Sequence, residues 1–238
     1  RFPQECRIAS LNHARYDSVA GLYYYRQRNR GDSGFLGGAG LAAFPAPFRN
    51  YAGLAIQTAA PAIVTTESYG AFAHANLRLS DLVELFGGAR VTAERKTLNE
   101  LSTDDPVGVF AVPLKGHRDR ISDRFFTPKA GVNLHFADNV MGFASISRGF
   151  KSGGFSTEAV SADQFAAGIR FNPETVTSYE VGLKSELFDR RARINLTAFH
   201  QRFKDFQVFT FVPVVSAGGV TRAVSVLSNA GQVTSKGI

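Results

Sequence analysis

From Ser178 onward the chain alternates between polar and apolar positions. Ser178, Glu180, Gly182, Lys184 and Glu186 are interleaved with Tyr179, Val181, Leu183 and Leu187, broken only by Ser185. After Phe188-Asp189-Arg190 the alternation resumes, with Arg191, Arg193, Asn195 and Thr197 against Ala192, Ile194, Leu196 and Ala198. A period of two gives a strand one apolar and one polar face, so this stretch predicts two strands joined by a tight turn. Both exceed the usual strand of ~5–6 residues and match the ~9–11 that a tilted strand needs to cross a bilayer.

The same reading predicts strands over residues 5–11, 16–28, 67–79, 82–95, 125–136, 140–148, 175–187, 191–211 and 223–238. Pairs meet at Ser80-Asp81, at Ala137-Asp138-Asn139 and at Phe188-Asp189-Arg190, where Asp, Asn and Ser form turns readily. The links between pairs, 29–66, 96–124, 149–174 and 212–222, are longer and rich in Gly, Pro, Ala and charge. Short turns therefore alternate with long loops. Length and composition alone suit a soluble β-sandwich, whose strands alternate in the same way. A sandwich has no reason to sort its connections, whereas outer-membrane barrels put short turns at one end and long loops at the other. The predicted fold is all-β, an antiparallel up-and-down transmembrane β-barrel seen in part, with about 8–9 strands.

Facing supports this. Tyr69, Ala71, Ala73, Ala75, Leu77 and Leu79 share one side of their strand, and Ser68, Gly70, His74, Asn76 and Arg78 share the other, with Phe72 as an exception. Ala130, Val132, Leu134 and Phe136 oppose Gly131, Asn133 and His135. A face carrying Arg, Lys and Glu suits a wet or plugged lumen better than a dry core. Beyond Phe199 the alternation degrades, as a bulge near Lys204-Asp205 or emergence above the bilayer would cause.

Composition narrows the function classes. The net charge of +7 is spread along the chain rather than gathered into a basic arm, which argues against nucleic-acid binding. Cys6 is the only cysteine, which excludes an internal disulfide or a cysteine-based metal site. No window approaches the ~18 consecutive apolar residues of a transmembrane helix, so membrane insertion would be by strands.

Five segments are recognisable, in order: Thr66-Glu67-Ser68-Tyr69-Gly70-Ala71-Phe72; Phe86-Gly87-Gly88-Ala89-Arg90-Val91-Thr92-Ala93-Glu94-Arg95-Lys96; Ser145-Ile146-Ser147-Arg148-Gly149-Phe150-Lys151-Ser152-Gly153-Gly154-Phe155; Asn172 to Lys184, beginning Asn172-Pro173-Glu174-Thr175; and Ser228-Asn229-Ala230-Gly231. Together they resemble the barrels of TonB-dependent outer-membrane receptors, over nearly the whole chain at strands and turns. The resemblance implies an active transporter in the outer membrane of a Gram-negative cell that imports a scarce nutrient, a ferric siderophore or other iron complex first among them. It implies energy from the TonB–ExbB–ExbD complex, reached through N-terminal parts, and outer-membrane lipid as the surroundings. It also implies a barrel of about 22 strands, of which residues 1–238 are expected to form a middle-to-late part, with plug domain, signal peptide and terminal strands absent. A passive porin-like or adhesin-like barrel and, further off, a soluble β-sandwich binding module remain as alternatives.

No nucleophile–base pair, carboxylate dyad or cofactor motif stands out, so no enzyme activity, cofactor or catalytic residue is expected. The five histidines His13, His74, His117, His135 and His200 are scattered without ligand spacing. The glycines of 149–154 lack Walker spacing and read as a flexible exit from strand to loop, where glycine permits positive φ. Asn195-Leu196-Thr197 is a sequon in form, but it lies mid-strand facing a lumen. Tyr23, Tyr24 and Tyr25 are expected in an interfacial aromatic belt. The link 96–124 carries Asp104, Asp105, Asp119 and Asp123 with Lys115, Arg118 and Arg120. Loops on a rigid scaffold bind ligands, and cations would suit an anionic ferric chelate. Lys115, Arg118, Arg120 and Lys151 are accordingly the candidate extracellular ligand-loop residues.

Overall fold

A computed structural model describes residues 1–10, 15–36, 42–43, 49, 57–103, 114–157, 169–215 and 221–238. Its strands are β1 (Phe2–Ala9), β2 (Tyr16–Leu36), β3 (Gln57–Arg78), β4 (Val83–Thr103), β5 (Leu114–Ala137), β6 (Val140–Lys151), β7 (Gly154–Phe155), β8 (Arg170–Phe171), β9 (Glu174–Leu187), β10 (Ala192–Val215) and β11 (Thr221–Gly237). Nine of them form one antiparallel sheet in the order β1-β2-β3-β4-β5-β6-β9-β10-β11, and β7 pairs only with β8. Each strand of the sheet lies beside its sequence neighbour, as in an up-and-down barrel wall. The sheet is open, with β1 and β11 at its edges.

The short turns fall where predicted. Between β9 and β10, Phe188, Asp189 and Arg190 all adopt left-handed φ, at 54°, 53° and 67°. The end of β9 is tied to the neighbouring turn, where Asn139 Nδ2 donates to the Glu186 carbonyl at 2.7 Å and the Glu186 N–H donates to the Asn139 carbonyl at 2.8 Å. The predicted long loops are shorter than expected, because β2, β3, β4 and β5 run well past the residues at which alternation stops. A wall wet on both faces no longer selects apolar residues at every second position, yet its ladder hydrogen bonds continue. The irregularity predicted near Lys204-Asp205 is present: Asp205 has φ 55° and drops out of the β10–β11 pairing.

Cross-strand rows give the wall two faces. One row runs Tyr16–Leu77–Leu85–Val132–Ala144–Val181–Ala198, apolar throughout. Another runs His74–Gly88–Lys129–Ser147–Ser178–Gln201 on the opposite face. The apolar face is the bare one: Leu22 is 66% exposed, Phe126 56% and Val181 58%. A soluble domain buries such side chains, while a barrel wall turns them to lipid. Among the described residues no helix is long and apolar enough to cross a membrane. Among the described residues a buried apolar cluster of Ala62, Leu98, Leu101 and Ile169 lies on the inner face near the long connections.

Candidate functional site

The inner face is built from a repeated small device. Phe72 lies across Gly21, Phe86 across Gly131 and Phe143 across Gly182, each ring occupying space that a Cβ on the glycine would need. This accounts for Phe72 on a polar face: it covers bare backbone on the next strand. Cations then sit over the rings, Lys129 Nζ at 5.4 Å from the Phe86 centroid and Lys184 Nζ at 5.3 Å from that of Phe143. Arg90 lies 4.9 Å over Tyr23. The rings thereby cover bare backbone and carry cations, on a face that also bears Glu84, Glu94, Glu180 and Glu186.

Towards the long-connection end, the described parts of the β6–β9 connection, 152–157 and 169–173, lie against this inner face. Phe155 of β7 and Ile169, next to β8, pack against Ala62 and Val64 of β3 and Leu98 and Leu101 of β4. Leu98 and Leu101 are fully buried. Lys96 Nζ donates to the Gly153 carbonyl at 2.6 Å and lies 3.4 Å from Glu94 Oε1. Gly153 is glycine because of close approach: an added Cβ would meet the Phe171 carbonyl oxygen at 2.6 Å. None of Gly149, Gly153 and Gly154 has positive φ, so the expected reason for these glycines is replaced by room for neighbouring chain.

Both ends of the connection are clamped by one polar network. Gln207 of β10 donates through Nε2 to the carbonyls of Ser152 and Asn172, at 2.9 and 3.0 Å. Its backbone N–H donates to Glu174 Oε2 at 2.8 Å. Asn229 of β11 accepts the Asn172 N–H at 2.7 Å and donates to the carbonyls of Asn172 and Asp205. Glu174 and Gln207 are buried, so these bonds satisfy groups that would otherwise be costly. A second anchor joins β8 to β5, where the Arg170 guanidinium forks onto both carboxylate oxygens of Asp119. The bond from Arg170 holds the Asp119 carboxyl below its ordinary range, with help from the Arg120 backbone N–H and against the effect of burial.

Four of the five segments singled out in the sequence meet here. Lys96 and Glu94 come from the second, Ser152 and Gly153 from the third, Asn172 and Glu174 from the fourth and Asn229 from the fifth. The candidate ligand residues do not assemble with them. Lys115, Arg118 and Arg120 stand on β5 and Lys151 is the last residue of β6, so all lie on strands, where ladder pairing extends beyond the alternating pattern. Arg118 and Arg120 alternate with the inward Asp119, line an open hollow of about 590 Å³ with Thr97 and Asn99, and lie on the outer face. Lys115 and Lys151 are exposed and outside that hollow. The tyrosine run also divides, since consecutive strand residues cannot share a face. Tyr24 is outward against Tyr69 at 5.0 Å, while Tyr23 and Tyr25 stack inward at 6.4 Å, so the belt keeps Tyr24 alone. His13, Asp104 and Asp105 lie outside the described residues, and among the described residues no three His, Cys, Asp or Glu side chains gather as metal ligands.

Sequence reasoning missed Gln207, Arg170 and the ring-over-glycine pairs. The signal for the last was present, in glycines and phenylalanines recurring on the polar face; Gln207 and Arg170 carried none. A family model described as TonB dependent receptor-like, beta-barrel matches residues 7–238. The metal-pseudopaline receptor CntO of Pseudomonas aeruginosa is 34% identical over 84 residues, which is 35% of this chain and 11% of that receptor. The matched stretch thus covers about a tenth of the length of the curated relatives. Among solved structures, the ferric yersiniabactin uptake receptor FyuA of Yersinia pestis superposes with TM-score 0.66 at 20% identity, over 97% of this chain and 30% of that one. The ferric-catecholate import receptor Fiu of E. coli K12 (TM-score 0.63, 15% identity, 98% and 34%) and the copper transporter OprC (0.63, 13%, 98% and 34%) share the fold.

Proposed function

The chain belongs to the TonB dependent receptor-like β-barrel family, and from that premise we propose that it forms part of the wall of an active importer. Barrels of this family lie in the outer membrane of Gram-negative bacteria, and the apolar face of this sheet meets lipid there. The cargo we propose is a metal chelate, a ferric siderophore or other iron complex, admitted at the long-connection end and drawn inward with energy from TonB–ExbB–ExbD. The observation that carries this reading is the packing of β7 and β8, the described parts of the β6–β9 connection, on the inner face. This piece lies over a polar inner face of mixed charge while resting on separable anchors, Arg170–Asp119 and Lys96–Gly153. Lys115 and Lys151, exposed on β5 and at the end of β6, supply rim charge for an anionic cargo. Edges β1 and β11 would pair with further strands of the complete protein, since open ladder edges are not tolerated in lipid.

The test is uptake of radiolabelled ferric chelates by cells producing the complete receptor, with and without functional TonB. Accumulation that requires both supports the proposal. Uptake indifferent to TonB, with steady conductance of the purified barrel in planar bilayers, would replace it with a passive porin.

A further inference from the structure

Residues 152–157 and 169–173, with β7 and β8 among them, form a strap across the inner face, and at its anchor two carboxylates share one lysine. Glu94 and Asp123 are direct partners in the β4–β5 register and both turn inward, in one row with Ser68 of β3 and Tyr25 of β2. Like charges directly opposite one another on adjacent strands repel. Glu94 Oε1 is shut off from solvent and accepts no hydrogen bond, and the Lys96 ammonium lies 3.4 Å away. That ammonium is already committed to the strap, 2.6 Å from the Gly153 carbonyl. The outward neighbours of Tyr25, Glu94 and Asp123 in the chain are Arg26, Arg95 and Arg124, all exposed, so this level lies beyond the apolar band.

The other charged and titratable groups around the pair are each engaged or set apart. On β4, Arg90 is turned to Thr92 and the Tyr23 ring. On β5, Asp119 is forked by Arg170, with His117 next along that face. The facing residues of β3 are Ser68 and Thr66, and those of β2 are Tyr25 and Gln27, bonded to each other. Lys151, at the end of β6, is exposed. Residues 152–157 of the strap carry no titratable side chain, and 169–173 carry Arg170 alone. Burial first, and then the Glu94 carboxylate, push the Asp123 carboxyl above its ordinary value of 3.8, while Lys96 offsets part of the effect.

We propose that the strap closes with a proton: it seats on the inner face as Glu94 and Asp123 take up one proton between them, and loosens as they release it. With the proton shared, the remaining negative charge is matched by Lys96, held between Glu94 and the Gly153 carbonyl. With both carboxylates ionised, one charge inside the wall has no counterion, and water must enter to solvate it, which displaces the strap. A carboxyl whose pKa is higher in the closed state than in the open one binds its proton on closing. Its contribution to closure is fully present below the open-state value and is lost as pH rises through the raised one. The Asp119–Arg170 anchor runs the other way and fails only as pH falls through its lowered value. The strap is therefore firmest in mild acid and loosened in neutral medium.

The experiment uses the complete receptor purified in detergent, with 4-trifluoromethylphenylalanine in place of Phe155, a ring packed against the buried cluster. Fluorine NMR distinguishes seated from solvated strap, and a soluble paramagnetic agent identifies the solvated signal. Between about pH 4.5 and 8, the ratio of solvated to seated strap is expected to rise with pH, by about tenfold per pH unit at its steepest, and then level off. Asp123→Asn should keep the strap seated and flatten the profile, Glu94→Gln should move the rise to lower pH, and Asp123→Glu should retain it. Arg95→Gln, on the outward side of the same strand, should leave the profile unchanged. Heat-modifiable gel mobility verifies assembly, and if Asp123→Asn misassembles, Glu94→Gln and the wild-type profile decide. A ratio that is constant or falls as pH rises overturns the proposal, and so does a wild-type profile in either the Asn or the Gln variant. Neither cargo nor TonB enters the measurement, so its outcome is separate from that of the uptake assay.

Discussion

Gly131→Ala tests whether the rings of the inner wall are structural parts or ornaments. A Cβ on Gly131 would lie 2.3 Å from Phe86 Cζ and 2.5 Å from the Ala144 carbonyl oxygen. The ring can swing away, but the carbonyl belongs to the ladder between β5 and β6 and cannot. Overpacking of this kind costs about 1–3 kcal/mol. Replacing glycine by alanine elsewhere returns about 0.4–1 kcal/mol by restricting the unfolded chain. The net expectation is a loss of about 1–2 kcal/mol. Gly87→Ala is the control, because its Cβ would meet nothing closer than the Lys129 carbonyl at 3.7 Å; it should be neutral or slightly stabilising. The assay is urea unfolding of the complete receptor in lipid vesicles, read by loss of the compact gel band. Adding Phe86→Leu to Gly131→Ala should recover only part of the loss, since the Ala144 contact remains. Equal midpoints for Gly131→Ala and Gly87→Ala would refute the reasoning.

Other expectations follow from the anchors. Gln207→Ala removes the two hydrogen bonds that Nε2 donates, to the carbonyls of Ser152 and Asn172, and leaves the backbone bond to Glu174 in place; at about 1 kcal/mol per bond, stability falls by roughly 1–2 kcal/mol, measured by the same unfolding assay. Asp119 is held below its ordinary pKa of 3.8 by Arg170, so its contribution is complete above that value and is lost as pH falls through the lowered one. Proteolysis of the β6–β9 connection should therefore quicken below about pH 4, and Arg170→Ala should make it fast and independent of pH across that window. Phe188 is a bulky residue at φ 54°; Phe188→Gly should raise stability by about 1 kcal/mol, and an unchanged urea midpoint would count against strain in that turn.

The sequence by itself determined the fold class, the two faces, the positions of the short turns and the sorting of connections. Each of these follows from a period of two and from local turn chemistry, which act between residues close in the chain. Family membership was legible in the same way, through the segment around Arg148-Gly149-Phe150 and its four companions. Strand length was not legible, because above the bilayer both faces are wet and nothing selects alternation, while the ladder that carries β5 to Leu114 is invisible in composition. Only the tertiary structure decided that Phe72 covers Gly21, that Tyr23 and Tyr24 part to opposite faces, and that Lys96 reaches Gly153 across 57 residues. It also divided the charged link 96–124, turning Asp119 inward to Arg170 and Arg118 and Arg120 outward. Register assigns a charge its face, and register is set by the neighbouring strand, which is why a list of cations could not say whether they face the lumen or the surroundings.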